Sequence, residues 1–168
     1  MGADIHMVVE RRVKVRDAEV WVGVNAFPYT KAMIYDWGAR DADPPREVSI
    51  SGNCHYPATG RNYSLFAALA GVRGSGPAPL GVPDDASDLA LMAIDGWGED
   101  GHSHSWMLMS EALPLFIKLG QFGDPATAVL GAMKDGTVRT LDGYMEHFWQ
   151  MDEGETLDTY RLIFWFDN

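Results

Sequence analysis

"TYRLIFWFDN", residues 159–168, decides the fold. Tyr160, Leu162, Phe164 and Phe166 alternate with Arg161, Ile163, Trp165 and Asp167. A strand with water on one side alternates apolar with polar residues, whereas a strand covered on both sides is apolar at both parities. This stretch is apolar at both, so it is expected near the centre of a sheet. Working outward, "ADIHMVVERRV" (3–13) places Ile5, Met7 and Val9 on one face and Asp4, His6, Val8 and Glu10 on the other. "KVRD" reads as a turn and "AEVWVGV" (18–24) as a returning strand, so residues 4–24 form a β-hairpin.

The middle of the chain carries the helical patterns. "NYSLFAALAGV" (62–72) has an apolar stripe of Leu65, Phe66 and Leu69, with Asn62 or Ser64 as cap and Gly71 at its end. "ASDLALMAI" (86–94) reads as a second short helix. "MLMSEALPLFIKLG" (107–120) reads as a third, its regular part starting near Ser110 with Pro114 in the first turn or at a kink. "DPATAVLGAMKDG" (124–136) and, as helix or turn, "TLDGYMEHFWQM" (140–151) complete the set, and "EVSIS" (47–51) reads as a short strand in a Pro- and Gly-rich region. Strands at the two ends and helices between them give an α+β fold. The expectation is a single domain over 1–168, with a mostly antiparallel sheet from the N-terminal hairpin and the C-terminal strand, packed with helices from the middle of the chain.

The 168 residues are 46% hydrophobic, with six Trp, six Tyr and seven Phe, which is a globular composition. Thirteen basic against 24 acidic residues leave a net charge of −11. A chain of that sign lacks the basic stripe that releases counterions from DNA or RNA, so no nucleic-acid polymer is expected as partner. No apolar run approaches the roughly 18 residues of a membrane span, so no membrane partner is expected either. The N-terminus has no signal-peptide pattern, and Cys54 is the single cysteine, so a cytoplasmic location is the simplest expectation.

The polar residues concentrate in "EDGHSHSW", residues 99–106. In an extended chain Asp100, His102, His104 and Trp106 share one face, and Ser103 and Ser105 share the other. Two imidazoles on one face can act as general base and general acid on a single scissile bond. Ser105 as a helix cap is the plainer alternative. His6 joins His102 and His104 as a catalytic candidate if the first strand runs beside this segment. "GRNYS" (60–64) sets Arg61 before a helix N-terminus, a natural anion site, with Asn62 and Tyr63 as hydrogen-bonding and stacking partners; ordinary capping with a surface Arg is the plainer alternative. Arg73, Ser103, Ser105 and Trp106 complete the expected ligand-binding set. A buried structural role is the expectation for Cys54 in "GNCH" (52–55), and a helix-face or core position for His147.

Two resemblances follow from these blocks. "DIH" (4–6), "GNCH" (52–55) and "GHSH" (101–104) look, in order, like metal-binding blocks of the calcineurin-like metallophosphoesterases. That pattern is broken here: three residues precede Asp4, no middle Gly-Asp block is present, and His55 replaces an acid. The second resemblance runs the whole length. "MGADIHMVVE", "RNYSLFAALAGVRG", "PLGVPDDAS", "DGHSHSWMLMSEAL" and "RLIFWFDN" resemble a family of small bacteriophage and prophage proteins that begin Met-Gly-Cys/Ala-Asp-Ile-His. Leu108 departs from it, standing where relatives often place a capping Thr.

That resemblance implies a phage protein acting in the bacterial cytoplasm during infection. Joined to the polar cluster, it leads to a functional expectation. The protein is expected to be an anti-defence phosphodiesterase that degrades a nucleotide immune signal, with His102, His104 and His6 as acid and base. Arg61 would hold the phosphate, and Tyr63 or Trp106 would stack a base. No cofactor is required for such chemistry; a metal version would place Zn²⁺ or Mn²⁺ on Asp4, His6, Asp100, His102 and His104. The alternatives are a sponge that sequesters a cyclic nucleotide or ADP-ribose-type signal, and an inhibitor that occupies a host protein. The acidic residues are scattered along the sequence, which counts against the last. A homo-oligomer is compatible with all three.

Overall fold

A computed structural model describes residues 2–24, 61–119, 140–142, 147–150 and 154–168. The expected hairpin is present as β1 (Ile5–Val15) and β2 (Ala18–Val24). Its turn is Arg16–Asp17, with Arg16 in the left-handed region at φ 57°. The stretch that opened the analysis is β6 (Tyr160–Phe166), every residue of it buried. It pairs antiparallel with β1 on one side and with β3 (His102–Leu108) on the other. The sheet order is β2-β1-β6-β3, so β6 is an inner strand as its two apolar parities require.

Each face of β6 has its own cover. Ile5, Met7 and Val9 join Leu162, Phe164 and Phe166 beneath two helices, α1 (Tyr63–Ala70) and α3 (Met109–Lys118). Leu65, Phe66 and Leu69 of α1 and Met109, Leu113 and Phe116 of α3 are buried against them. Val8, Ile163 and Trp165 face the other way and meet Leu89 and Ala90 of α2 (Asp88–Asp95), with Trp106 at the margin. Side chains of this size stabilise by about 1.5–3 kcal/mol each when fully buried, so the sheet gains apolar burial on both sides. The α+β fold with an antiparallel sheet and helices from the middle of the chain is therefore as expected.

Local signals explain the element ends. The Asn62 side chain accepts from Leu65 N (3.1 Å) at the start of α1, so Asn62 and not Ser64 is the cap. Gly71 ends that helix in the left-handed conformation (φ 68°). Ser87 caps α2 through Ala90 N (3.2 Å). At the start of α3, Leu108 offers no capping oxygen, and its own N–H donates to Glu111 Oε2 (3.2 Å).

The third helix begins at Met109, in agreement with the expected start near Ser110, and Pro114 lies inside it beyond the first turn, leaving the Ser110 carbonyl without its intrahelical donor. One expectation needs correction. The described parts of 140–151 are strands and not helix: β4 (Thr140–Asp142) and β5 (His147–Gln150) pair antiparallel as a separate two-stranded sheet. This places His147 in a strand. The strand expected at 47–51, the helix expected at 124–136, and Cys54 with its neighbours lie outside the described residues.

Candidate functional site at one end of the sheet

β3 does not run as a plain extended strand. His102 pairs with Phe166 and Ser105 with Phe164, so Ser103 and His104 together oppose Trp165. This is a β-bulge, and Ser103 is its left-handed residue (φ 52°). The extra residue breaks the alternation expected for 100–106. The His102 ring stacks over Phe166 (6.3 Å between centroids), on the side of α1 and α3. The His104 ring stacks on Trp165 (6.4 Å), on the side of α2. Asp100 sits before the strand in an exposed single turn at 98–100. Asp100, His102, His104 and Trp106 therefore do not share one face, and the two imidazoles of the motif do not converge.

The bulge brings a different pair into line. His6 pairs with Trp165 across the β1–β6 ladder, and its ring lies 5.8 Å from the indole. His6 and His104 thus flank Trp165 on one face of the sheet. Their strands are not neighbours, as β6 separates them by two strand spacings, roughly 10 Å. Trp97, in the loop after α2, stacks on His6 with centroids 3.9 Å apart. His6 Nε2 is 3.3 Å from Asp167 Oδ2, with both side chains mostly buried. Burial first, and then the charge of His102, lowers the His104 imidazole below its ordinary range.

Arg61 reaches the same end of the sheet. Its guanidinium pairs with Asp4 (Nε to Oδ1 3.2 Å, Nη2 to Oδ2 3.3 Å) and lies flat against Gly2, where a Cβ would come within 2.3 Å of Nη1. The hydrogen bond and charge of Asp4 raise the Arg61 pKa. Asp4 N donates to Asp167 Oδ1 (3.0 Å), and Asp167 N donates to Asp4 O (3.1 Å). Arg61, Asp4, Asp167 and His6 consequently form one connected chain.

The remaining candidates fall into structural or peripheral places. Asn62 spends its side chain on the α1 cap and on Leu119 O (3.3 Å), tying α1 to the end of α3. Tyr63 is 38% exposed and meets the edge of Phe66. Arg73 is exposed in the turn after α1 with φ 60°. Ser105 is buried and is not a helix cap; its Oγ accepts from Leu80 N (3.1 Å), which pins the 80–81 segment to β3. Ser103 Oγ is 2.9 Å from His102 Nδ1. Among the described residues, no group of three or more His, Cys, Asp or Glu is placed to hold a metal ion.

Sequence reasoning missed two features. Trp97 and Asp167 belong to the His6 cluster: the β1–β6 register brings Asp167 beside it, and the packing of the loop after α2 brings Trp97. The second is a buried ion pair, Glu10 with Arg161. Arg161 also donates to Asp85 Oδ1 (2.7 Å) and lies over the Trp21 ring at 4.2 Å, while Glu10 accepts from Ser87 N (2.6 Å). A lone arginine in a strand covered on both sides was the available signal, since a buried charge demands a partner. Compared with family models, with curated proteins and with solved structures, the chain has no match.

Proposed function

We propose that the protein is a phosphodiesterase acting on a small nucleotide, with His104 as general base and His6 as general acid. The observation that carries this reading is the row His6–Trp165–His104 on one face of the sheet. An imidazole on each side of a shared indole can approach one phosphodiester from two directions. The environments of the two rings differ. Burial favours neutral His104, the form that accepts a proton. His6 Nε2 lies 3.3 Å from the Asp167 carboxylate, which orients the ring. Arg61, joined to His6 through Asp4 and Asp167, is a cation at this end suited to a phosphate. The phage-protein resemblance adds the expectation that the substrate is a nucleotide immune signal of the bacterial host. Of the three histidines expected to be catalytic, His6 and His104 keep that role in this reading, and His102 acts on His104 through its charge.

A second reading, a sponge that holds such a nucleotide unchanged, draws on Trp97. This indole is 37% exposed and already stacked on an imidazole, a surface on which a base can lie. One experiment separates the two. The protein is incubated with cyclic dinucleotides and ADP-ribose derivatives, heat-denatured, and the released small molecules are identified by mass spectrometry. Product in the supernatant supports the enzyme, and intact bound nucleotide supports the sponge. His104→Gln and His6→Gln are expected to lower turnover by about a hundredfold or more. Turnover unchanged in both variants would refute the histidine assignment.

A further inference from the structure

We propose that Gly101, His104 and Trp165 form a cradle for one water molecule and, resting on the acid–base reading above, that this water is the attacking nucleophile. Gly101 has φ −77° and ψ 125°, a conformation open to any residue, so the backbone does not require glycine there. What glycine preserves is space. A Cβ at this position would lie 3.3 Å from Trp97 Cβ and 3.4 Å from both His104 Nε2 and Trp165 Cδ1. Cδ1 is bonded to the indole Nε1, so the two ring nitrogens border the same small volume.

Neither nitrogen has a hydrogen-bond partner among the described protein atoms, and both are buried. Leaving a buried polar nitrogen unmatched is costly, and two side by side call for a shared partner. Trp165 is fully buried and its N–H can only donate. A neutral His104 ring can accept at Nε2. A group serving both must be acceptor and donor at once and no larger than the space a methyl would take. Water meets those terms, whereas an anion offers acceptors alone and an apolar group offers neither.

In the reaction, the oxygen of this water bonds to phosphorus as its proton passes to His104 Nε2. The bond from phosphorus to the leaving oxygen breaks, and His6 delivers a proton to that oxygen. Water and diester become a monoester and an alcohol, with no further reactant. Trp165 does not exchange protons; its N–H fixes where the water lies.

The test reads the water directly. In ¹⁵N-labelled protein the Trp165 Nε1–H resonance, assigned with Trp165→Phe, is expected to show a cross-relaxation peak to a long-lived water. Gly101→Ala fills the cradle and should abolish that peak while leaving the rest of the spectrum in place. A wild-type protein without the peak overturns the proposal, whatever the variant does. The second arm uses bis(4-nitrophenyl) phosphate, whose hydrolysis is expected to fall about a hundredfold in Gly101→Ala. Hydrolysis retained in a variant that has lost the water overturns the nucleophile assignment. A wild-type protein that shows the peak but cleaves neither this probe nor any nucleotide counts against the phosphodiesterase reading and supports the cradle as a hydration site alone.

Discussion

Ser103 holds a backbone conformation that costs an ordinary L-residue about 1–2 kcal/mol, and it does so between the two histidines of its motif. Glycine would remove that cost while adding back about 0.5–1 kcal/mol of chain entropy. Ser103→Gly is therefore expected to stabilise by about 0.5–1 kcal/mol, and Ser103→Val, β-branched, to destabilise by about 1–2 kcal/mol. Urea unfolding midpoints at unchanged slope are the check. His104 gives a prediction of pH dependence. Its imidazole is lowered in the native state from the ordinary 6.5, first by burial and then by the charge of His102. The unfolded chain therefore takes up this proton first, and stability falls as pH drops below about 6.5 until the native group titrates in turn. His104→Gln should flatten the decline in Tm between about pH 7 and pH 5, and an identical decline in wild type and variant would contradict it. At this scale the sequence was a partial guide. The imidazoles at 102 and 104 stand out in print, but their faces depend on one left-handed residue at a position where serine gives no warning.

Asn62 shows how much an element owes to one side chain. It supplies the α1 cap and a link to the last turn of α3 through Leu119 O. Asn62→Ala should cost about 1–2 kcal/mol, read from thermal or urea unfolding, whereas Asn62→Asp keeps the cap oxygen and loses only the donor. A ligand role for Asn62 would instead appear as lost binding at unchanged stability. Gly71 was legible as the end of α1, and its start was narrowed to Asn62 or Ser64, because these residue types have favoured places at helix ends. The strands at 140–150 were not legible. Runs of three and four residues satisfy helical and extended periods equally well. Of the two places expected for Pro114, the first turn is not the one it takes: a helix buried along Met109, Leu113 and Phe116 tolerates the loss of one backbone bond that an isolated helix would not.

Across the whole molecule, the Glu10–Arg161 pair sits between the sheet and α2 at matched register. Removing one member leaves the other charged and buried. Arg161→Met or Glu10→Leu is accordingly expected to cost about 3–5 kcal/mol, and the double variant less than the sum of the two. A double-mutant cycle by chemical denaturation decides it, and additivity would mean that the two charges do not stabilise each other. The α+β class and the inner position of β6 were legible because apolar residues at both parities admit few other placements. The site was less so. Its histidines come from strands that never touch, and the row they form exists only because Trp165 lies between them.

The inner strand also sets a timetable. Glu10 and Arg161 are 151 positions apart, so on the ribosome β1 emerges long before its main partner. At roughly 5–20 residues per second the gap is on the order of ten seconds. For that interval the nascent hairpin presents an apolar face and an open edge to the cell, and slow, non-local pairing must then close the sheet. The protein's yield is thus expected to depend on how well its first two strands survive the wait. A synthesis halted before residue 160 would release a half-sheet prone to self-association.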